Sequence, residues 1–209
     1  YMYSLVCRGA KFSYFLMFFF AVPFMFETET IMRLWLKNYP PEAPLFLRLS
    51  MIGTLFDILG NATANAAWAT GNVKKYYIIV GGVGCLVFPL SWFAFAMGVD
   101  AYASYIAFAA IYLVLVFLKL YIIKGLIGFP VMDFYKSVFG RIIPVSFLSL
   151  ILPSVVYFNM DKSLLRTFAV MIVSGISTLA ITYFIGMSKA ERDRVVRIVK
   201  QKLNKNNLK

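Results

Sequence analysis

A short series of polar residues interrupts one long apolar run and carries most of the chemistry available to this chain. Asp57, Asn61 and Asn65 are spaced by four, so they share one face of a helix. An ionised side chain at the centre of a bilayer costs about 2.5–3.5 kcal/mol even on the lenient insertion scale. We therefore expect Asp57 to face a wet cavity, to pair with a cation or to be protonated. The two asparagines either line that cavity or bind a neighbouring helix.

Two cations occur within the same apolar background. Arg48 precedes Asp57 in the same run by about 13 Å of helix, so the two cannot pair directly. Lys119, from another run, is the nearest plausible partner for Asp57. Both cations are candidates for binding an anionic cargo. Both also lie near the ends of their runs, where a long side chain can extend to the membrane surface instead.

The composition argues against several classes of chemistry. The 209-residue chain has no histidine, and its two cysteines, Cys7 and Cys85, are far apart. This is not the spacing of a metal site, so zinc chemistry and histidine-based acid–base catalysis are excluded, and we expect no metal and no cofactor. We further expect that the protein is not an enzyme. The formal net charge of +12 is typical of basic cytoplasmic loops in a membrane protein. No nucleic-acid partner is therefore predicted.

The elements that must position these residues are long apolar helices. Hydrophobic residues make up 61% of the chain and charged residues 14%, and the apolar runs approach the ~20 residues that span a bilayer. The runs do not alternate with period two, so we predict an all-α, polytopic integral membrane helix bundle. The bundle is predicted within residues 1–187, with six helices over about 4–26, 43–70, 76–97, 104–123, 138–158 and 165–187.

Small residues form a second stripe on the helix that carries Asp57. Gly53, Gly60, Ala64 and Ala67 would let another helix approach closely, as small residues do within membranes. Prolines inside the runs predict kinks, because each removes a backbone hydrogen bond. They are Pro23, Pro89, Pro144 and Pro153.

Two segments are predicted to lie at the membrane surface. The first, Gly128–Phe139, mixes aromatic and charged side chains between the fourth and fifth runs. The second is a cytoplasmic tail, residues 188–209, in which Ser188 and Glu191 form a capping box. Its basic, amphipathic pattern favours either binding to anionic lipid or a solvated helix, with residues 204–209 disordered.

Charged residues are distributed unequally between the loops. If the chain begins in the cytoplasm, most basic loop residues and the whole tail are cytoplasmic, which is a positive-inside bias. Both ends of this sequence are therefore predicted to be cytoplasmic. The outer loops would then hold Arg33, Lys37, Lys162 and Arg166, with Glu27, Glu29, Glu42, Asp100 and Asp161.

Three collinear segments resemble one known family. Residues 8–36, RGAKFSYFLMFFFAVPFMFETETIMRLWL, resemble the RG-x-K-F-S-F…P…E-x-x-x-I-L-x-L-W-L pattern of Wzx-like polysaccharide transporters. Residues 61–82, NATANAAWATGNVKKYYIIVGG, resemble their A-A-x-A-T-G-x-I-K-x-Y-x-I-V-x-G segment. Residues 186–195, GMSKAERDRV, are similar to their G-x-x-K-x-E-R exit from the last helix. This family comprises flippases of the multidrug/oligosaccharidyl-lipid/polysaccharide exporter superfamily.

The resemblance implies a two-lobe transporter that works by alternating access, with this chain supplying most of the C-terminal lobe. Its partners would be the membrane and the N-terminal part of the same polypeptide. Its cargo would be an undecaprenyl-diphosphate-linked oligosaccharide, such as an O-antigen, capsule or exopolysaccharide repeat unit, crossing the bacterial inner membrane. Arg48 and Lys119 would contribute cations to the path, and Asp57 would exchange H⁺ or Na⁺.

Other functions stay open at this stage. A drug/cation antiporter of the same superfamily would favour an acidic cavity, whereas this chain offers Asp57 against Arg48 and Lys119. An integral membrane enzyme of glycolipid assembly would need clustered acids, His or Arg in a sizeable loop. The longest predicted outer loop, Glu27–Glu42, holds three Glu without a paired acid–base arrangement. A non-transporting scaffold is disfavoured by the polar face of the Asp57 helix.

Overall fold

The computed structural model describes residues 2–36, 38–71 and 73–206. It is 88% helical, and the described residues contain no strand, so the predicted all-α class is confirmed. The α-helices are α1 Met2–Phe26, α2 Thr28–Leu36, α3 Ala43–Ala69, α4 Val73–Cys85, α5 Val87–Ala96, α6 Tyr102–Ile127, α7 Val131–Phe134, α8 Gly140–Asn159, α9 Leu164–Ile181 and α10 Lys189–Asn206. Two π-helical turns, Tyr135–Phe139 and Thr182–Gly186, precede α8 and follow α9.

Six segments of the described chain are long and apolar enough to cross a membrane, and the protein is a multi-pass membrane protein. They are Met2–Phe26, Ala43–Ala69, Val73–Ala96, Tyr102–Ile127, Val131–Asn159 and Leu164–Gly186. All six correspond to the predicted runs. Large apolar side chains such as Phe88 and Phe158 are exposed on the outside of the bundle, where lipid would cover them.

The fifth span differs from its prediction. Residues 128–139 were predicted to be a surface segment separate from the fifth span, but α7, a π-helical turn and α8 follow one another as one continuous helical segment from Val131. Phe134 and Val138 are fully buried in the central apolar cluster, which explains why this aromatic segment joins the bundle. Gly128 ends α6 with a left-handed φ of 63°, a conformation that favours glycine.

One predicted loop departs from the sequence-based picture, and one run breaks near a proline that was predicted to kink it. The predicted outer loop over residues 27–42 contains α2, because helical hydrogen bonding resumes with Ile31 N donating to the Glu27 carbonyl at 2.9 Å. The third run is divided at Leu86 into α4 and α5. Pro89 lacks the N–H that would bond to the Cys85 carbonyl, which accounts for the break. Pro23, by contrast, remains inside an unbroken helix.

The core of the bundle lies around α1. Its residues Ala10, Ala21 and Val22 are buried, and the helix packs against α3 on one side and against α8 and α9 on the other. Helix α3 in turn packs against α6. A Cβ added to Gly53 would lie 2.3 Å from Phe108, so the predicted small-residue stripe does admit a closely packed helix.

The succession of antiparallel spans gives the bundle two distinct ends. We call the end that holds the start of α1, the α6–α7 junction and α10 the tail end. The opposite end, with α2 and the α8–α9 connection, is the α2 end. The tail helix α10 extends through Asn206, beyond the point where disorder was predicted, and residues 207–209 lie outside the described residues.

Candidate functional site

Asp57 and Lys119 form an ion pair between α3 and α6. The Lys119 Nζ lies 3.0 Å from Asp57 Oδ1. Asn61 contacts both partners: its Nδ2 donates to Asp57 Oδ2 at 3.2 Å, and its Oδ1 accepts from Lys119 Nζ at 3.4 Å. The structure therefore brings three of the five predicted site residues together, and the pairing of Asp57 with Lys119 is confirmed.

The geometry of the pair depends on a glycine of α3. The Lys119 side chain lies across Gly60, where an added Cβ would be 2.6 Å from Cδ and 3.1 Å from Nζ of the lysine. Any larger residue would displace the lysine stem. With glycine there, the apolar stem is buried between the two helices while Nζ reaches the carboxylate of Asp57.

The pair lies deep in the membrane-spanning region. In α3, Asp57 is 14 residues from Ala43 and 12 from Ala69, distances of about 21 Å and about 18 Å along the axis. Because the hydrocarbon core is ~30 Å thick, these distances place Asp57 near its middle. An unpaired charge at this depth is costly, so the ion pair and the Asn61 amide stabilise both ionised side chains there.

The two partners differ in their access to the surroundings. The Asp57 side chain is 31% exposed and that of Lys119 only 6%. Asn61 and Asn65 are exposed as well, so the polar face lies on the surface of the six-span bundle. An ionised carboxylate has about four acceptor positions, and Lys119 and Asn61 occupy two of those on Asp57. Asp57 can therefore accept a proton or a small cation while Lys119 takes another anionic partner.

The other two predicted site residues lie apart from the pair. Arg48 donates from Nε to the Met25 carbonyl at 3.0 Å and to Thr28 Oγ1 at 3.2 Å, so it ties α3 to the junction of α1 and α2. Asn65 lines a different cavity, of about 360 Å³, between α1 and α3. Neither residue contributes to the environment of Lys119.

A buried ion pair at the α2 end was missed from the sequence. Arg166 donates to Glu27 through Nε at 2.7 Å and through Nη2 at 3.2 Å. Thr167 and Thr30 donate to the same carboxylate at 3.1 Å and 2.8 Å. Glu27 and Arg166 were predicted to belong to the outer loops, and the structure adds that their side chains are buried, with only 1% and 7% exposed. Their separation of 139 residues conceals the pair from sequence patterns.

A third cluster joins α10 to the tail end. The predicted capping box is confirmed, since Ser188 N donates to Glu191 Oε2 at 2.7 Å and Glu191 N donates to Ser188 Oγ at 3.3 Å. The same carboxylate lies 2.6 Å from Lys11, 3.4 Å from Arg141 and 3.8 Å from Arg8. Burial acts to raise the pKa of the Glu191 carboxyl, but hydrogen bonds from Lys11 and Ser188 outweigh it and hold the pKa below its ordinary value.

Comparison with known proteins places the chain in no group: no protein-family model, curated protein or solved structure matches it. The resemblance to polysaccharide transporters therefore stays a prediction.

Proposed function

We propose that this chain belongs to a flippase that moves an anionic lipid-linked oligosaccharide, of the undecaprenyl-diphosphate type, across the bacterial inner membrane. The observation that carries the proposal is the Asp57–Lys119 pair, which lies near the membrane middle and is open on its Asp57 side. A diphosphate headgroup needs a cationic, hydrated path through ~30 Å of hydrocarbon. Lys119 provides a cation at the deepest part of such a path.

The pair supports a mechanism of partner exchange. At rest Asp57 neutralises Lys119. When a phosphate of the cargo arrives from the exposed side, Lys119 exchanges Asp57 for the phosphate oxygen, and Asp57 takes up H⁺ or Na⁺. The charge of the cluster stays balanced at each stage, which limits the cost of keeping ions inside the membrane. Release of the cargo on the outer side, together with loss of the H⁺ or Na⁺ from Asp57, restores the original pair.

Asn61 supports this exchange as a polar bridge. Its amide contacts Asp57 through Nδ2 and Lys119 through Oδ1. As the lysine moves toward the cargo, the amide continues to donate to the carboxylate. The exposed face that carries these residues would line the cavity between this lobe and the other lobe of the transporter, in accordance with the two-lobe arrangement that the sequence resemblance implies.

The ion pair favours an anionic cargo over a cationic one. A drug/cation antiporter would bring a positive cargo to its acidic residue, but here Lys119 already lies 3.0 Å from Asp57. A second cation beside a largely buried ammonium would be repelled. We also propose that the tail end faces the cytoplasm, because the exposed Lys74, Lys75 and Lys124 lie at that end and basic residues are enriched on the cytoplasmic side.

Export complementation tests the proposal. The natural full-length gene product would be expressed in a bacterium that lacks its own O-antigen or capsule flippase, and surface glycan would be quantified per inserted molecule. Wild-type protein should restore the glycan, and Lys119→Gln should lower it by about tenfold or more, the effect of losing roughly 1.4 kcal/mol of stabilisation. Lys124→Gln, an exposed lysine on the same helix, is the matched control and should export normally.

Two outcomes would contradict the proposal. One is wild-type export by Lys119→Gln, which would remove the pair from the transport path. The other is failure of the wild-type protein to restore surface glycan from several hosts whose repeat units differ, although it is present in the inner membrane.

A further inference from the structure

A small cavity at the tail end lies outside the proposed transport path. It has a volume of about 170 Å³ and is enclosed by the first turns of α1, by the start of α8 and by the first turn of α10. Its lining is polar and cationic: Tyr3, Ser4, Cys7, Arg8, Lys11, Ser137, Arg141, Ser188 and Glu191. We call this the tail-end pocket.

The charges of the tail-end pocket do not balance. Arg8, Lys11 and Arg141 contribute three positive charges, and Glu191 contributes one negative charge. Lys11 is almost fully buried, so solvent compensates little of the excess around it. An excess of positive charge around a buried ammonium group favours a further anion in this open pocket.

Both arginines retain donors that could bind such an anion. Arg8 approaches Glu191 at 3.8 Å, which is too long for a hydrogen bond. Arg141 uses the single atom Nη1 for both the Gly186 carbonyl, at 3.5 Å, and Glu191, at 3.4 Å. The two side chains are 40% and 32% exposed, so their remaining N–H groups are accessible from outside the pocket.

The depth of the pocket matches the headgroup layer. Helix α1 has 25 residues, or about 37 Å, against a hydrocarbon core of ~30 Å. Arg8 precedes Phe26, the last residue of α1, by 18 residues or about 27 Å, close to the thickness of the core, so Arg8 lies near the boundary between the apolar core and the headgroups. Paired guanidinium groups recognise phosphate oxygens in a bidentate manner, and basic pockets between membrane helices bind phospholipid headgroups.

We propose that the tail-end pocket binds the phosphate group of an anionic lipid headgroup through Arg8 and Arg141. In this arrangement Glu191 is an internal competitor. Its carboxylate occupies the inner part of the site, next to Lys11, and holds the start of α10 against the bundle. Removing the Glu191 charge should therefore strengthen phosphate binding, whereas removing the two arginine charges should weaken it.

Native mass spectrometry of the full chain tests this inference, with phosphatidylglycerol or phosphatidylcholine as the added lipid. The double variant Arg8→Gln/Arg141→Gln should bind phosphatidylglycerol at least about tenfold more weakly, because it removes both guanidinium groups that would donate charge-assisted hydrogen bonds to the phosphate. The control variant Lys74→Gln/Lys75→Gln removes two exposed cations that lie at the same end but outside the pocket. Its affinity for phosphatidylglycerol should stay within about twofold of wild type. Glu191→Gln should bind more tightly than wild type.

Competition with inorganic phosphate distinguishes the source of the phosphate group. Displacement of phosphatidylglycerol would identify a site for phosphate in general, and lack of displacement would identify a site for the lipid headgroup; both results support the proposal. An equal loss of affinity for phosphatidylglycerol in the two double variants would overturn the proposal, because it would indicate that any surface cation at the tail end attracts the anionic lipid. If the double arginine variant does not fold, the Glu191→Gln variant by itself tests the proposal. Unchanged or weaker binding of phosphatidylglycerol by Glu191→Gln would then overturn it.

Discussion

The Glu27–Arg166 pair and the Asp57–Lys119 pair both join two membrane-spanning segments through one acid and one base, yet their surroundings are opposite. Glu27 is 1% exposed and accepts hydrogen bonds from Arg166, Thr167 and Thr30. Asp57 is 31% exposed, lies at the edge of an open face and accepts hydrogen bonds from two side chains, Lys119 and Asn61. The acceptor positions of the Glu27 carboxylate are therefore filled, whereas the Asp57 carboxylate has positions left for another donor.

This difference separates a structural role from an exchanging one. The buried Glu27 carboxylate has its acceptor positions filled, so it cannot accept a further hydrogen bond without breaking an existing one. Its partner is held in place as well, because the planar Arg166 guanidinium lies 4.5 Å from the centre of the Tyr157 ring. The partly exposed Asp57 carboxylate, paired with a flexible lysine, can change partners more readily. The comparison therefore predicts that variants at the α2 end act mainly on stability and that variants at the membrane middle act mainly on transport.

The largest effect on stability is expected for Glu27→Ala. It leaves Arg166 buried without a counter-charge, and breaking a buried pair from one side costs about 3–5 kcal/mol. Unfolding in mixed micelles with increasing dodecyl sulfate would measure the loss. Glu29→Ala is the matched control, since that side chain is 49% exposed and its pairs are at 3.4 Å and 4.0 Å. Similar losses in the two variants would contradict the structural role of Glu27.

A smaller loss of stability is expected for Asp57→Asn. The asparagine can still accept a hydrogen bond from Lys119, so the expected cost is about 1–3 kcal/mol in the same unfolding measurement. A loss as large as that of Glu27→Ala would mean that the pair acts mainly as a structural tie between α3 and α6.

Gly60→Ala should disturb the pair by packing alone. The new Cβ would lie 2.6 Å from Lys119 Cδ and would push the lysine stem away from α3, at a cost of about 1 kcal/mol in stability. Because Nζ would lose its alignment with Asp57, the rate of export per folded molecule should fall as well. Gly84→Ala has no atom within 4 Å of the added Cβ and should change neither quantity. Normal export by Gly60→Ala would show that the lysine position is not critical.

The smallest effect is a dependence of the tail on pH. Because the pKa of Glu191 in the folded protein lies below its ordinary value of 4.5, the ion pairs with Lys11 and Arg141 stabilise α10 fully above that value. This contribution is lost as the pH falls through the lower, folded pKa. The distance between spin labels on α1 and α10 should therefore increase only at pH values below 4.5. In Glu191→Gln this transition should be missing.

The intramembrane pair could be predicted from the sequence because its signals are local and its candidates are few. Asp57 and Asn61 are one helical turn apart, and Lys119 is one of the few cations inside the apolar runs. Gly60 also belongs to the small-residue stripe that was predicted to admit a neighbouring helix.

The other two ion clusters could not be predicted because they depend on the relative positions of distant segments. Glu27 and Arg166 each lie at the end of an apolar run, where a charged residue is ordinarily exposed to water. Only the packing of α1 against α9 buries them together. For Glu191 the local capping box was predicted, but its three cationic partners come from α1 and α8 and meet only because α10 returns to the tail end.

Export per folded molecule, compared between Asp57→Asn and Glu27→Gln, tests the central distinction most directly. Surface glycan would be divided by the amount of correctly inserted, folded protein in the same cells. We predict that Asp57→Asn reduces this ratio by about tenfold or more, whereas the folded fraction of Glu27→Gln exports at the wild-type rate. Wild-type export per folded molecule by Asp57→Asn, or an equal reduction in both variants, would contradict the assignment of the mid-membrane pair to transport.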